Sequence, residues 1–89
     1  MLFIIASQPG TEEFKRACAI AKGSNVCLIQ DAVYLAMEEN APTTGSIYAL
    51  KDDLLMRSIT NPKIKGLKTI DYSEMVDLMA GAEKVTGVF

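Results

Sequence analysis

The chain has no histidine and no tryptophan, and only two of its 89 residues are cysteine. The missing histidine excludes the most: Ser-His-Asp and Cys-His catalysis cannot be assembled, and the common zinc sites lose their most frequent ligand. Cys18 and Cys27 are too far apart in sequence for a CxxC metal knuckle or redox pair, so no metal site is expected. Long hydrophobic runs are also missing. The opening run Leu2 to Ala6 has no basic lead-in and is too short for a signal segment or a membrane span, so no membrane contact is expected. Unpaired thiols without a secretory signal predict a cytoplasmic, reducing setting. Positive charge is not in excess: nine Lys and Arg face eleven Asp and Glu, a net charge of −2. That balance argues against a dedicated nucleic-acid binder driven by phosphate neutralisation.

Hydrophobic residues, in contrast, make up 49% of the chain. A chain of this length forms one domain, residues 1–89, and buries only roughly 60 to 65% of its unfolded surface. The apolar excess therefore predicts an exposed face that serves as a subunit interface.

The stretch Asn25 to Met37 organises the rest. An apolar strand ends at Gln30 and Asp31 and a segment of helical composition begins at once, with Asp31 reading as its cap. Before it, Met1 to Ser7 is a first strand, broken by Gln8, Pro9 and Gly10. Thr11 is the expected N-cap of helix one, whose stripe Phe14, Ala17, Cys18 and Ala21 recurs at helical spacing up to Gly23. Pro42 ends the second helix near Asn40, and Thr43, Thr44 and Gly45 are loop. Ser46 to Leu50 is the third strand, Lys51 to Met56 opens a short third helix with Arg57 at its negative end, and Thr60 to Leu67 reads as an exposed basic loop. Lys68 to Asp71 is a fourth strand. Asp71 and Glu74 have capping-box spacing ahead of a fourth helix buried through Met75, Val76, Leu78 and Met79, and Lys84 to Phe89 is an edge strand. Strict βα alternation predicts a three-layer α/β/α fold with a mostly parallel five-stranded sheet. Ser7 to Thr11 has a single glycine and a proline that removes an amide donor, which disfavours a phosphate-cradling turn.

Three segments, in order, resemble the TusB/DsrH family of small sulfur-relay proteins: Leu28-Ile29-Gln30-Asp31-Ala32-Val33-Tyr34, then Ile47-Tyr48-Ala49-Leu50-Lys51-Asp52-Asp53-Leu54 with Arg57 after it, then Ile70-Asp71-Tyr72 leading to Val76. The family pattern is an apolar strand ending in Gln/Glu-Asp-Gly-Val, a Tyr-Ala-Leu strand followed by Asp-Leu and Ala-Arg-Gly, and an Ile-Asp-Tyr strand end. Ala32 stands where that pattern has Gly, and Met56-Arg57-Ser58 where it has Ala-Arg-Gly. The second Gly suits a left-handed helix end that Ser tolerates less well.

The resemblance implies the DsrE-like fold, assembly with itself or with related DsrE-like subunits, and passage of persulfide sulfur between donor and acceptor proteins. It implies no cofactor, and contact with tRNA only indirectly. One branch of the family serves 2-thiolation of the tRNA wobble uridine. The other serves dissimilatory sulfur oxidation, with a cysteine in helix one that Cys18 resembles once a shorter turn at Lys22 to Ser24 is allowed. The role implied is a sulfurtransferase component or carrier rather than a stand-alone enzyme.

Cys18 has two readings. As a relay thiol it must exist partly as thiolate, and Lys15 and Lys22 would lower its pKa if they lie close. As core filler it belongs to the apolar stripe of helix one. Cys27, mid-strand between Val26 and Leu28, reads as core. Asp31, Tyr34, Tyr48 and Arg57 are the expected rim or interface residues. Lys63, Lys65 and Lys68 read as a solvated loop more readily than as a contact with tRNA or an acidic partner. The methionines Met37, Met56, Met75 and Met79 read as core or interface material. The contrasting function is a non-catalytic, homo-oligomeric DsrE-like module that binds or scaffolds.

Overall fold

The computed structural model describes residues 1–38 and 45–88. The expected helix end near Asn40, the loop residues Pro42, Thr43 and Thr44, and the terminal Phe89 lie outside the described residues. Strands β1 (Leu2–Ile5), β2 (Asn25–Leu28), β3 (Ile47–Leu50), β4 (Leu67–Ile70) and β5 (Val85–Val88) form one sheet in the order β4-β3-β2-β1-β5. Every pairing is parallel, and Ile4, for example, lies between Cys27 and Gly87. The helical segments are α1 (Glu12–Ala21), a 3₁₀ segment (Gln30–Met37), α2 (Lys51–Met56) and α3 (Tyr72–Gly81). This is the expected α/β architecture, with β5 at an edge.

The strand order fixes which face each helix covers. Three crossovers step the same way across the sheet, and right-handedness puts their helices on one face; the connection from β4 to β5 runs back and puts α3 on the other. Two cores result. Phe14, Ala17 and Ala21 of α1, Val33 and Leu35 of the 3₁₀ segment and Leu54 of α2 pack on Phe3, Ile5, Val26 and Leu28. Opposite them Met75 and Leu78 of α3 pack on Leu2, Ile4, Cys27, Leu50 and Ile70.

Local signals explain the helix starts. Thr11 Oγ1 accepts the Phe14 N–H at 3.2 Å. Asp71 and Glu74 form the reciprocal box, with Glu74 N–H donating to Asp71 Oδ1 at 2.7 Å and Asp71 N–H to Glu74 Oε1 at 3.1 Å.

Three expectations are corrected or narrowed. The segment after β2 is a 3₁₀ helix, although its Ala, Leu and Met favour an α-helix. Its ends are tied elsewhere: Gln30 N–H donates to Asp53, and the Ala36 carbonyl accepts from Lys63 N–H at 2.7 Å and Ile64 N–H at 3.2 Å. At about 2.0 Å rise per residue a 3₁₀ helix reaches farther than an α-helix at about 1.5 Å, which suits a segment stretched between two anchors. Those same bonds narrow the second expectation: Thr60 to Gly66 is exposed except at Ile64, as a loop should be, but the stretch is docked onto the 3₁₀ segment with Ile64 buried. Third, Val76 and Met79 do not face the core. They are exposed, because α3 turns only the row containing Met75, Leu78 and Ala82 onto the sheet. Met37 and Met56 are exposed as well, which leaves Met75 as the core methionine among the four singled out.

Candidate functional site

The carboxyl ends of β2 and β3 meet α2 at a corner built from residues far apart in sequence. Gln30 leaves the strand with φ +50°, which turns its N–H toward α2, where Asp53 Oδ2 accepts it at 2.8 Å. Asp31 does not cap the segment. The capping position belongs to Ile29, which makes no side-chain cap bond. Asp31 Oδ1 instead accepts from Arg57 Nε at 3.1 Å and Nη2 at 2.9 Å. The other arm of the guanidinium, Nη1, donates to the Asp53 carbonyl at 3.2 Å and lies 3.6 Å from Asp53 Oδ1. The same guanidinium carbon sits 5.9 Å from the centre of the Tyr34 ring.

The end of α2 sets Arg57 in place. Ser58 N–H donates to the Leu55 carbonyl at 3.0 Å and Ile59 N–H to the Leu54 carbonyl at 2.9 Å, with Leu54 and Ile59 both buried in one core. This pair of bonds, with a hydrophobic contact across the helix end, is a Schellman motif and requires a left-handed residue at Ser58. Ser58 has φ +56°, as expected for a position where the family pattern has glycine. Ser58→Gly relieves that conformation and is expected to stabilise the fold by about 0.5–1 kcal/mol, raising the thermal midpoint by about 4 °C. A melt that stays put or falls contradicts the assignment.

The corner therefore gathers Asp31, Tyr34 and Arg57 of the expected rim residues, and adds Asp53, which reads in the sequence only as part of the short third helix. Its one signal was the Asp-Leu step four residues or fewer before Arg57. Tyr48 is elsewhere: it is half-buried on the α3 face of the sheet, with Lys68 Nζ 5.7 Å from its ring centre. Beside the corner a shallow hollow of about 330 Å³ is lined by Tyr34, Met37, Arg57 and Asn61 among others. Arg57 faces two carboxylates, so it offers no free cation to an anionic ligand. The corner holds backbone in place and carries no nucleophile.

The thiols are separate from it. Cys18 is half-buried on α1 at the margin of the larger core. Burial pushes its thiol pKa up, which corrects the expectation that Lys15 and Lys22 lower it. Cys27 is fully buried on the α3 side of β2, and burial, with the nearby Asp53 charge adding to it, pushes its pKa up to about 11. A thiol that keeps its proton longer in the folded chain than in the unfolded one stabilises the fold below the unfolded pKa. That contribution is lost as pH rises from about 9 to about 11. Stability is expected to fall by about 2 kcal/mol across that window, and Cys27→Ala to flatten the fall; equal slopes in the two proteins would contradict it. Among the described residues no three His, Cys, Asp or Glu side chains converge to hold a metal ion, and no helix is long and apolar enough to cross a membrane.

The chain and its fold have relatives. The family model described as DsrH-like protein matches residues 7–85. The chain belongs to the DsrH-like family. It is similar to Protein TusB of Photorhabdus laumondii subsp. laumondii, 27% identical over an alignment 85 residues long that covers 88% of this chain and 90% of that protein. Protein Tm0979 of Thermotoga maritima, solved by NMR, is 33% identical with a TM-score of 0.66, covering 94% of this chain and 97% of that one. The crystal structure of the ychN protein from E. coli shares the fold at a TM-score of 0.78, covering 97% of each chain at 20% identity. These matches span almost the whole chain, and the corner of Asp31, Asp53 and Arg57 falls inside the family-matched region.

Proposed function

We propose that the chain is a subunit of a sulfur relay that passes persulfide sulfur between proteins, and that Cys18 is its carrier. Membership of the DsrH-like family is the observation that carries this reading, and the likeness to a TusB protein supports it. Of the two cysteines, Cys27 is sealed at 0% exposure while Cys18 retains a path to solvent. The step required is simple. Cys18 thiolate attacks the outer sulfur of a donor persulfide, a new S–S bond forms on Cys18, the donor S–S bond breaks and the donor leaves as a thiolate. No net oxidation occurs and no cofactor is needed. The finer assignment is to 2-thiolation of the tRNA wobble uridine or to the related oxidation of sulfur. The setting is cytoplasmic, the partners are donor and acceptor proteins and DsrE-like subunits, and tRNA is met only indirectly. Asp31, Tyr34 and Arg57 form the rim such partners approach, and Tyr48 a separate contact on the opposite face.

The test is loading. Incubation with a cysteine desulfurase and cysteine is expected to add about 32 Da per chain, the mass of one sulfur atom, and Cys18→Ser to abolish the adduct. Because burial raises the thiol pKa, the loading rate is expected to climb with pH to beyond 9. An adduct that persists in Cys18→Ser, or none with donor and partner subunits present, refutes the carrier role. The second reading, a binding or scaffold module built from copies of the chain, is favoured by the exposed apolar side chains Met56, Tyr72 and Val76.

A further inference from the structure

β4 ends the sheet, and among the described residues no backbone group bonds to its outer side. An edge of this kind presents a row of N–H and C=O groups to any extended chain, and proteins commonly blunt it with an outward charge, a proline or a bulge. β4 is short, but Leu67–Ile70 has no proline and its register against β3 runs without a bulge. Its one charged side chain, Lys68, is folded back over the Tyr48 ring of the neighbouring strand.

The edge opens into a hollow on each face of the sheet. Lys68 and Ile70 lie opposite Tyr48 and Leu50 and share their face, toward α3; Leu67 and Thr69 lie opposite Ile47 and Ala49 and share the other. On the α3 face a hollow of about 420 Å³ is lined by Tyr48, Ile70 and Leu78, with Glu74 and Asp77 exposed beside them. Those two carboxylates outnumber the one ammonium of Lys68, and neither is in an ion pair with a described residue. On the α2 face a hollow of about 210 Å³ is mainly apolar, formed by Leu54, Leu55, Ile59 and Pro62 with Lys51 at its margin. Thr69 borders both hollows, so the two flank one strand.

We propose that β4 receives an extended segment of a partner protein as a sixth strand, one in which apolar residues alternate with Lys or Arg. The apolar residues enter the hollow beside Leu54 and Leu55. The basic ones lay their stems along Tyr48 and Leu78 and bring their charges to Asp77 and Glu74. In strand addition backbone bonds hold the segment whatever its sequence, and hollows on alternate sides select it; here the two hollows differ in charge, which demands a two-residue period. A second copy suits the edge poorly, because antiparallel pairing of β4 with β4 brings both Lys68 side chains and both acidic rims onto one face. This contact does not depend on whether Cys18 carries sulfur.

The test is a capped six-residue peptide alternating valine and arginine, titrated into the ¹⁵N-labelled full chain. Saturable binding with a Kd below about 1 mM is expected, with the largest shifts at Leu67–Ile70 and slower amide exchange there. Two further peptides, N-methylated at the valines or at the arginines, separate strand addition from mere adhesion. Methyl groups on the edge that meets β4 abolish binding, and those on the far edge leave it. Asp77→Lys and Leu55→Asp, both exposed changes that leave the melting temperature in place, are each expected to weaken binding about tenfold, and Asp77→Lys to turn the preference toward a valine and glutamate peptide. No binding up to about 1 mM overturns the proposal. So do two methylated peptides that bind alike, shifts centred away from β4, or outward amides of β4 already protected in the chain alone, which would mean that a second copy holds the edge.

Discussion

Leu28→Ala is expected to cost about 3–4 kcal/mol, because Leu28 is fully buried in the middle strand of the sheet and its loss leaves a cavity that its neighbours cannot fill. The same change at Leu55, which is 55% exposed on α2, is expected to cost under about 0.5 kcal/mol. A chain of 89 residues has a total stability of about 4–13 kcal/mol, so the first substitution removes a large fraction of it and the second almost none. In urea the Leu28→Ala midpoint is expected to fall by about 2–3 M at unchanged slope, since m is about 1.5 kcal/mol per M at this size. Equal costs at Leu28 and Leu55 would mean that β2 is not the central strand of the larger core. β2 also carries the turn that starts at Gln30, so the corner depends on this strand staying seated.

Arg57→Ala has the second largest expected effect, about 2 kcal/mol. A lone surface ion pair contributes under about 1 kcal/mol, and Asp31 alone, whose side chain is 55% exposed, is such a partner. Arg57 is different because its side chain is only 18% exposed. It also bonds a backbone carbonyl of α2, and its guanidinium lies over the Tyr34 ring, so truncation removes that contact and leaves the Asp53 carbonyl without its donor. Asp31→Ala is expected to cost less, about 0.5 kcal/mol, and the double variant less than the sum, since both changes break the same bonds. Arg57→Lys is expected to recover only part of the loss, because one ammonium cannot reach both sides as the guanidinium fork does. Chemical denaturation of the four variants measures this ordering. Asp31→Ala costing as much as Arg57→Ala would shift the weight of the corner onto the exposed carboxylate.

The parts of this fold that were legible in the sequence are those set by neighbours in the chain. Thr11 and the Asp71 and Glu74 pair announce helix starts because the bonds they make span three residues. Strand and helix alternation announces a parallel sheet, and the row Phe14, Ala17 and Ala21 announces the inner face of α1. Illegible parts depend on distant partners. Asp31 looks like a cap until Arg57, 26 positions on, takes its carboxylate. The 3₁₀ form of Gln30–Met37 follows from Asp53 and from the docked loop at Lys63 and Ile64, which no helix propensity encodes. Val76 and Met79 look buried by period alone, since a periodic row gives the apolar side of a helix but not the angle at which that helix meets the sheet. Cys18 lies between these cases: its place in helix one marks it as the proposed carrier, while the burial that raises its pKa is a property of the packed structure.

The proposed function divides labour between a corner that holds the backbone and a thiol on α1, Cys18, proposed to carry sulfur. Intact-mass loading of Cys18→Ser and Arg57→Ala, run side by side below the melting temperature of each, tests that division most directly. Arg57→Ala is expected to gain about 32 Da as the unsubstituted chain does, and Cys18→Ser to gain nothing. The reverse outcome, loading kept without Cys18 and lost without Arg57 in a folded chain, would contradict it.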